Sequence, residues 1–81
     1  MKEGRFKGVV VIEKVNKRLG NKLRRLRENN GKTQKSLSEL FGISVSAISM
    51  YETGYRVPSD DIKKKYAAYF NVPVGDIFFA D

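Results

Sequence analysis

Apolar residues recur at helical spacing along most of this chain, interrupted at short intervals by glycine, asparagine and proline. From Lys17, Leu19, Leu23 and Leu26 mark one helix face while Lys22, Arg24 and Arg25 point elsewhere. Asn29-Asn30-Gly31 ends that helix with residues that tolerate positive φ. Thr33 caps the next, in which Leu37, Leu40 and Phe41 at i, i+3, i+4 give one apolar face. Gly42 follows at once and suits a left-handed cap, because a residue without Cβ turns there at little cost. Ser44 caps a third helix with Ile48 and Tyr51 inward, closed by Gly54. Tyr55 to Pro58 reads as a loop. Ser59 then caps a fourth helix with Asp60 and Asp61 in its first turn and Ile62, Tyr66, Tyr69 and Phe70 on its buried face. Pro73 breaks it, and Val74, Ile77 and Phe78 suit a brief fifth helix. The pattern predicts an all-α fold, a compact bundle of five short helices containing a helix-turn-helix.

That helix-turn-helix, Thr33 to Gly54, is the most informative stretch. A turn this short holds two helices at a steep angle, so the second can enter a DNA major groove while the first crosses the backbone. Charge points the same way. Residues 1–40 hold twelve Lys/Arg against four Asp/Glu, and residues 41–81 hold four against five, within a net charge of +7. A basic half suits a polyanion, since each neutralised phosphate releases counterions.

The composition removes several function classes. Eighty-one residues are expected to form one domain, with no room for a separate catalytic or ligand-sensing unit. With no cysteine there is no disulfide, thiolate metal site or cysteine nucleophile; with no histidine the commonest general base and metal ligand are missing. Asp60 and Asp61 mimic a carboxylate pair, but their place behind Ser59 makes them partners of the helix dipole. No enzyme activity, cofactor, metal or small-molecule ligand is expected. No apolar run approaches a membrane span, and Val9–Ile12 is too short for a signal-peptide core, so the expected setting is cytoplasmic, without a membrane partner. Residues 1–16 form a basic arm around that apolar run, and residues 17–81 the domain proper. The arm fits three roles: a flexible tail, a short strand pairing with another chain, or an arm following the DNA.

The span from Leu19 to Phe78, about three quarters of the chain, resembles the phage Cro and repressor (Xre-type) family of helix-turn-helix DNA-binding domains. The matching pieces are LGNKLRRLRENNGKTQ, GISVSAIS, YETG, and the VP and VGDIF elements. Ser38 stands where the family usually has alanine, at a close crossing of two helices. The resemblance implies a recognition helix from about Ser44 to Thr53, with Val45, Ser46, Ser49 and Met50 facing base edges. Spacing agrees, since those four share one side of a helix and Ile48 and Tyr51 the other. The family often places Gln, Arg or Lys there, which bond bases in bidentate fashion. Here Val45 and Met50 suit thymine methyls and the serines offer short hydroxyls, so fewer direct base bonds and more reliance on DNA shape are expected.

By the same resemblance Gln34, at the start of the second helix, meets a phosphate, as a helix N-terminus favours. Ser44 is a second phosphate candidate, and Lys35, Thr53 and Arg56 flank the same face. Lys22, Arg24, Arg25 and Lys32 are expected to add long-range attraction without direct contact. Arg27 and Glu52 match family positions that form a structural ion pair between the first helix and the end of the third.

One recognition helix reads too few base pairs to discriminate within a genome, so a homodimer on a near-palindromic double-stranded operator is expected. Ile77 and Phe78 close the core, which leaves Phe79 as the dimer-interface candidate. The expected function is a sequence-specific transcription regulator that occupies a promoter and blocks polymerase. The resemblance suggests phage, prophage or mobile-element control. Two alternatives stand beside it: an antitoxin or restriction-system controller, and a protein-interaction modulator that pairs with a larger repressor. The neutral recognition face favours a protein partner, and the basic first half argues against one.

Overall fold

Side chains that satisfy terminal backbone groups set most helix boundaries in this protein. A computed structural model describes residues 16–78, which form α1 (Lys17–Asn29), α2 (Gln34–Phe41), α3 (Val45–Thr53), α4 (Asp60–Phe70) and α5 (Val74–Phe78). Asn16 Oδ1 accepts the Leu19 N–H ahead of α1, at 3.1 Å. Thr33 and Ser36 form a reciprocal capping box ahead of α2. Ser44 and Ser59 accept the Ala47 and Ile62 N–H groups at 3.0 and 3.4 Å, opening α3 and α4. Gly42 and Gly54 end α2 and α3 in the left-handed region, at φ 71° and 87°. A Cβ on Gly54 would also strike the Asn16 backbone, 2.5 Å from its carbonyl oxygen, so this position excludes other residues twice over.

The five helices, with no strand among the described residues, enclose one core. Leu23, Leu37, Ile48, Tyr66 and Ile77 are sealed from solvent, with Phe41, Tyr51 and Ile62 beside them. The Tyr66 ring lies at the centre, edge-on to Phe41 at 4.9 Å between centroids and in contact with Tyr51, Phe70 and Phe78. Helix α1 packs on α3 and α5, and α2 on α3. The α1–α3 crossing is close because Gly20 faces the Glu52 carbonyl, where a side chain would collide. Lys22 reaches from α1 to the far end of the fold, and its Nζ donates to the Asp76 and Ile77 carbonyls at 3.2 and 3.1 Å. No helix among the described residues is long and apolar enough to cross a membrane.

Several sequence expectations shift. Leu40 is 52% exposed rather than inward. The buried arc of α2 is Leu37, Ser38 and Phe41, which turns toward the α3 crossing and leaves Leu40 at its edge. Tyr69, expected in the core, is also exposed and lays its ring edge-on to Phe41 and Phe70. Together Leu40, Phe41, Lys65, Ala68 and Tyr69 line an open groove. Helix α4 stops at Asn71, in the left-handed region at φ 56°, before Pro73 is reached. Asn16, assigned to the arm, belongs to the folded unit: its N–H donates to the Gly54 carbonyl at 2.8 Å. The rest of the arm, and Phe79, lie outside the described residues.

Candidate nucleic-acid interface

The turn between α2 and α3 is built from short-range bonds. The Ile43 N–H donates to the Ser38 carbonyl at 3.0 Å, and the buried Ser38 hydroxyl donates to the Lys35 carbonyl at 2.7 Å. Ser38 thus fills the small space at the crossing and keeps its own oxygen satisfied. Helix α3 then turns Ile48, Tyr51 and Glu52 inward. On its outer side Val45 and Met50 are each 41% exposed, Ser46 is exposed and Ser49 half-buried. None of the four carries a charge, and Val45 and Met50 supply the apolar exposure among them.

Phosphate candidates surround that surface. Lys35, Ser44, Thr53 and Arg56 are exposed. Ser44 is occupied as the α3 cap, and the Thr53 hydroxyl donates to the Met50 carbonyl at 3.2 Å. The Tyr55 and Arg56 N–H groups donate to the same carbonyl, at 3.0 and 3.3 Å, fixing the loop that carries Arg56. Tyr55 is 72% exposed and Val57 is exposed beside it, so apolar surface extends past the end of α3. Neither residue stands out in the sequence, because an aromatic or aliphatic side chain in a loop carries no periodic signal.

Behind the surface lies a buried carboxylate with several donors. Arg27 Nε and Nη2 meet Glu52 Oε2 and Oε1 at 2.7 and 3.0 Å, in the paired geometry that suits a guanidinium and a carboxylate. Glu52 is fully buried and Arg27 nearly so. The third guanidinium nitrogen, Nη1, donates to the Lys32 carbonyl at 2.8 Å and pins the α1–α2 connection. The hydrogen bond to Glu52 raises the Arg27 pKa, against the opposing effect of burial, so the guanidinium stays charged throughout the accessible pH range.

Gln34 belongs to this cluster, which spacing alone did not reveal. Its Nε2 donates to Glu52 Oε1 at 3.0 Å. Because an ionised carboxylate only accepts, the amide orientation is fixed, with one N–H on Glu52 and a second still to place. Arg24 approaches the same oxygen, its Nε at 3.7 Å, with a side chain close to half exposed. Lys22 and Lys32, expected to act only at long range, have internal contacts: Lys22 with the α5 carbonyls, Lys32 with the Tyr69 ring, 5.8 Å from its centroid.

An outward helix on a rigid buried base, with an uncharged outer side and cationic flanks, is the architecture of a DNA-binding regulator of transcription. The chain belongs to the helix-turn-helix family, whose model matches residues 23–77. Among solved structures it is similar to the restriction-modification controller protein C.AhdI from Aeromonas hydrophila, at 29% sequence identity and a TM-score of 0.69, over 76% of this chain and 94% of that one. No curated protein sequence matches it.

Proposed function

We propose that this protein is a repressor that binds a near-palindromic operator as a homodimer, in a cytoplasmic setting, with no catalytic activity of its own. The observation that carries the reading is the outer side of α3. Val45, Ser46 and Met50 are exposed there with Ser49 half-buried between them, while Glu52 on the inner side is locked to α1 and α2. In this reading Val45 and Met50 pack on thymine methyls, and Gln34, Lys35, Ser44, Thr53 and Arg56 set the register on phosphates. A reading face with so few bidentate donors draws the rest of its selectivity from groove shape. Phage or prophage control is one circuit consistent with this. The similarity to a restriction-modification controller supports a second, in which the regulator times the genes of a restriction system.

The exposed apolar residues Val45, Met50, Tyr55 and Val57 also support a protein partner, such as a larger repressor, on the same face. Hydroxyl-radical footprinting on a bound duplex separates the readings. A homodimer protects two patches centred about 34 Å apart, one helical turn. A single patch removes the dimer, and diffuse protection leaves the protein-partner reading in place.

A further inference from the structure

We infer that Arg24 and Gln34 together grip one DNA phosphate, and that the buried Glu52 carboxylate is the positioning residue that holds them for it. The inference rests on the DNA-binding reading and gives that interface a contact from α1, the helix outside the helix-turn-helix. Glu52 Oε1 is shared by three groups: Arg27 Nη2 and Gln34 Nε2, both at 3.0 Å, and Arg24 Nε at 3.7 Å. Arg27 is spent internally, since every one of its nitrogens faces Glu52, Glu28 or the Lys32 carbonyl.

Arg24 differs. It approaches the carboxylate through Nε at 3.7 Å, beyond hydrogen-bond reach, and its side chain is 44% exposed, so the guanidinium presents surface to solvent or to a ligand. Gln34 likewise has one amide N–H on Glu52 and one to offer. Arg27 is balanced from two sides, by Glu52 within and by the exposed Glu28 at 3.8 Å, so Arg24 is the outer guanidinium of the cluster and the one placed to meet an anion. A guanidinium matched to phosphate oxygens is the stronger, directional kind of contact. Arg25, the next residue along, is exposed with no carboxylate to orient it among the described residues, and contributes only to the general field.

The test uses the full chain and a fluorescent duplex carrying its preferred site, with anisotropy read across a salt series. Arg24→Ala weakens binding by about tenfold, the loss expected for one charge-assisted hydrogen-bonded contact. It also lowers the slope of log K against log salt by about 1. Arg25→Ala, with the same change in charge, moves both much less. Arg24→Lys restores the slope but only part of the affinity, because an ammonium lacks the fork. Adding Gln34→Ala to Arg24→Ala costs less than Gln34→Ala costs alone, since both act on one phosphate. Equal losses for Arg24→Ala and Arg25→Ala overturn the inference. So does a drop in melting temperature for Arg24→Ala with an unchanged salt slope, which assigns Arg24 to the fold. If the parent binds no duplex at all, the DNA-binding reading itself fails, a result distinct from either.

Discussion

Arg27 and Glu52 face each other through two parallel hydrogen bonds, 2.7 and 3.0 Å long, that join α1 to the last turn of α3. The pair lies behind the surface proposed to read DNA, so it fixes where that surface stands relative to the first helix. Truncating one partner strands the other charge in the interior. Arg27→Ala is expected to cost about 3–5 kcal/mol, enough to unfold much of a domain this small. Arg24→Ala, at a half-exposed position, should cost no more than about 1 kcal/mol. Urea denaturation of both variants checks the difference, and equal midpoints contradict the structural role of Arg27.

How far this arrangement is legible in the sequence depends on the physical cause of each part. The caps Thr33, Ser44 and Ser59 and the turns at Gly42 and Gly54 are local chemistry, and the helices begin and end with them. Leu40 and Tyr69 are misplaced by periodicity because it locates an apolar stripe but not which edge of it the neighbouring helix covers. The bond from Gln34 to Glu52 spans two helices, and Lys22 reaches across more than fifty residues, so neither has a local signature. The inward set of α3 is legible from spacing, whereas the partners of Glu52 in the site follow from three helices meeting at one oxygen.

The Gly20 crossing gives a sharp contrast within one fold. A methyl group on Gly20 would be driven into the Glu52 carbonyl, so Gly20→Ala should destabilise by about 1–3 kcal/mol or more through overpacking. A Cβ added to Gly75 in α5 would meet nothing within 4 Å among the described residues, and Gly75→Ala should be neutral or stabilise by up to about 1 kcal/mol. Thermal melts of the two variants decide this, and a tolerated Gly20→Ala contradicts the close α1–α3 approach.

Tyr66 links the core to pH. Its hydroxyl is buried without a hydrogen-bond partner among the described residues, and burial, reinforced by the nearby Glu52 charge, pushes its pKa well above the ordinary value of 10.0. The raised value means the folded state keeps this proton after the unfolded chain has lost it. Its contribution is therefore fully present below about pH 10 and declines as the pH rises beyond that. Tyr66→Phe removes the orphan oxygen, so stability at neutral pH should stay level or rise by about 1 kcal/mol. The variant should also lose less stability than the parent above pH 10. Denaturation at about pH 7 and about pH 10.5, on either side of the ordinary tyrosine pKa, compares the two. Identical pH dependence contradicts the burial argument.

The two kinds of contact should separate in binding. Met50→Ala and Val45→Ser are expected to lose about 1–3 kcal/mol of discrimination at the base pairs they face, with little change in salt dependence. Lys35→Ala and Arg56→Ala should weaken all sequences alike and lower the salt slope by about 1. Titrations of preferred and scrambled duplexes at two salt concentrations check both. A uniform loss for Met50→Ala removes it from the reading face.

Selection from a pool of random duplexes at physiological salt would show whether this chain reads a specific DNA sequence. The expected result is enrichment of an inverted repeat whose half-sites lie about one helical turn apart, contacted by the outer side of α3. Weak, steeply salt-dependent binding with no enriched sequence would contradict it, leaving the charge as a generic grip and the exposed apolar face to a protein partner.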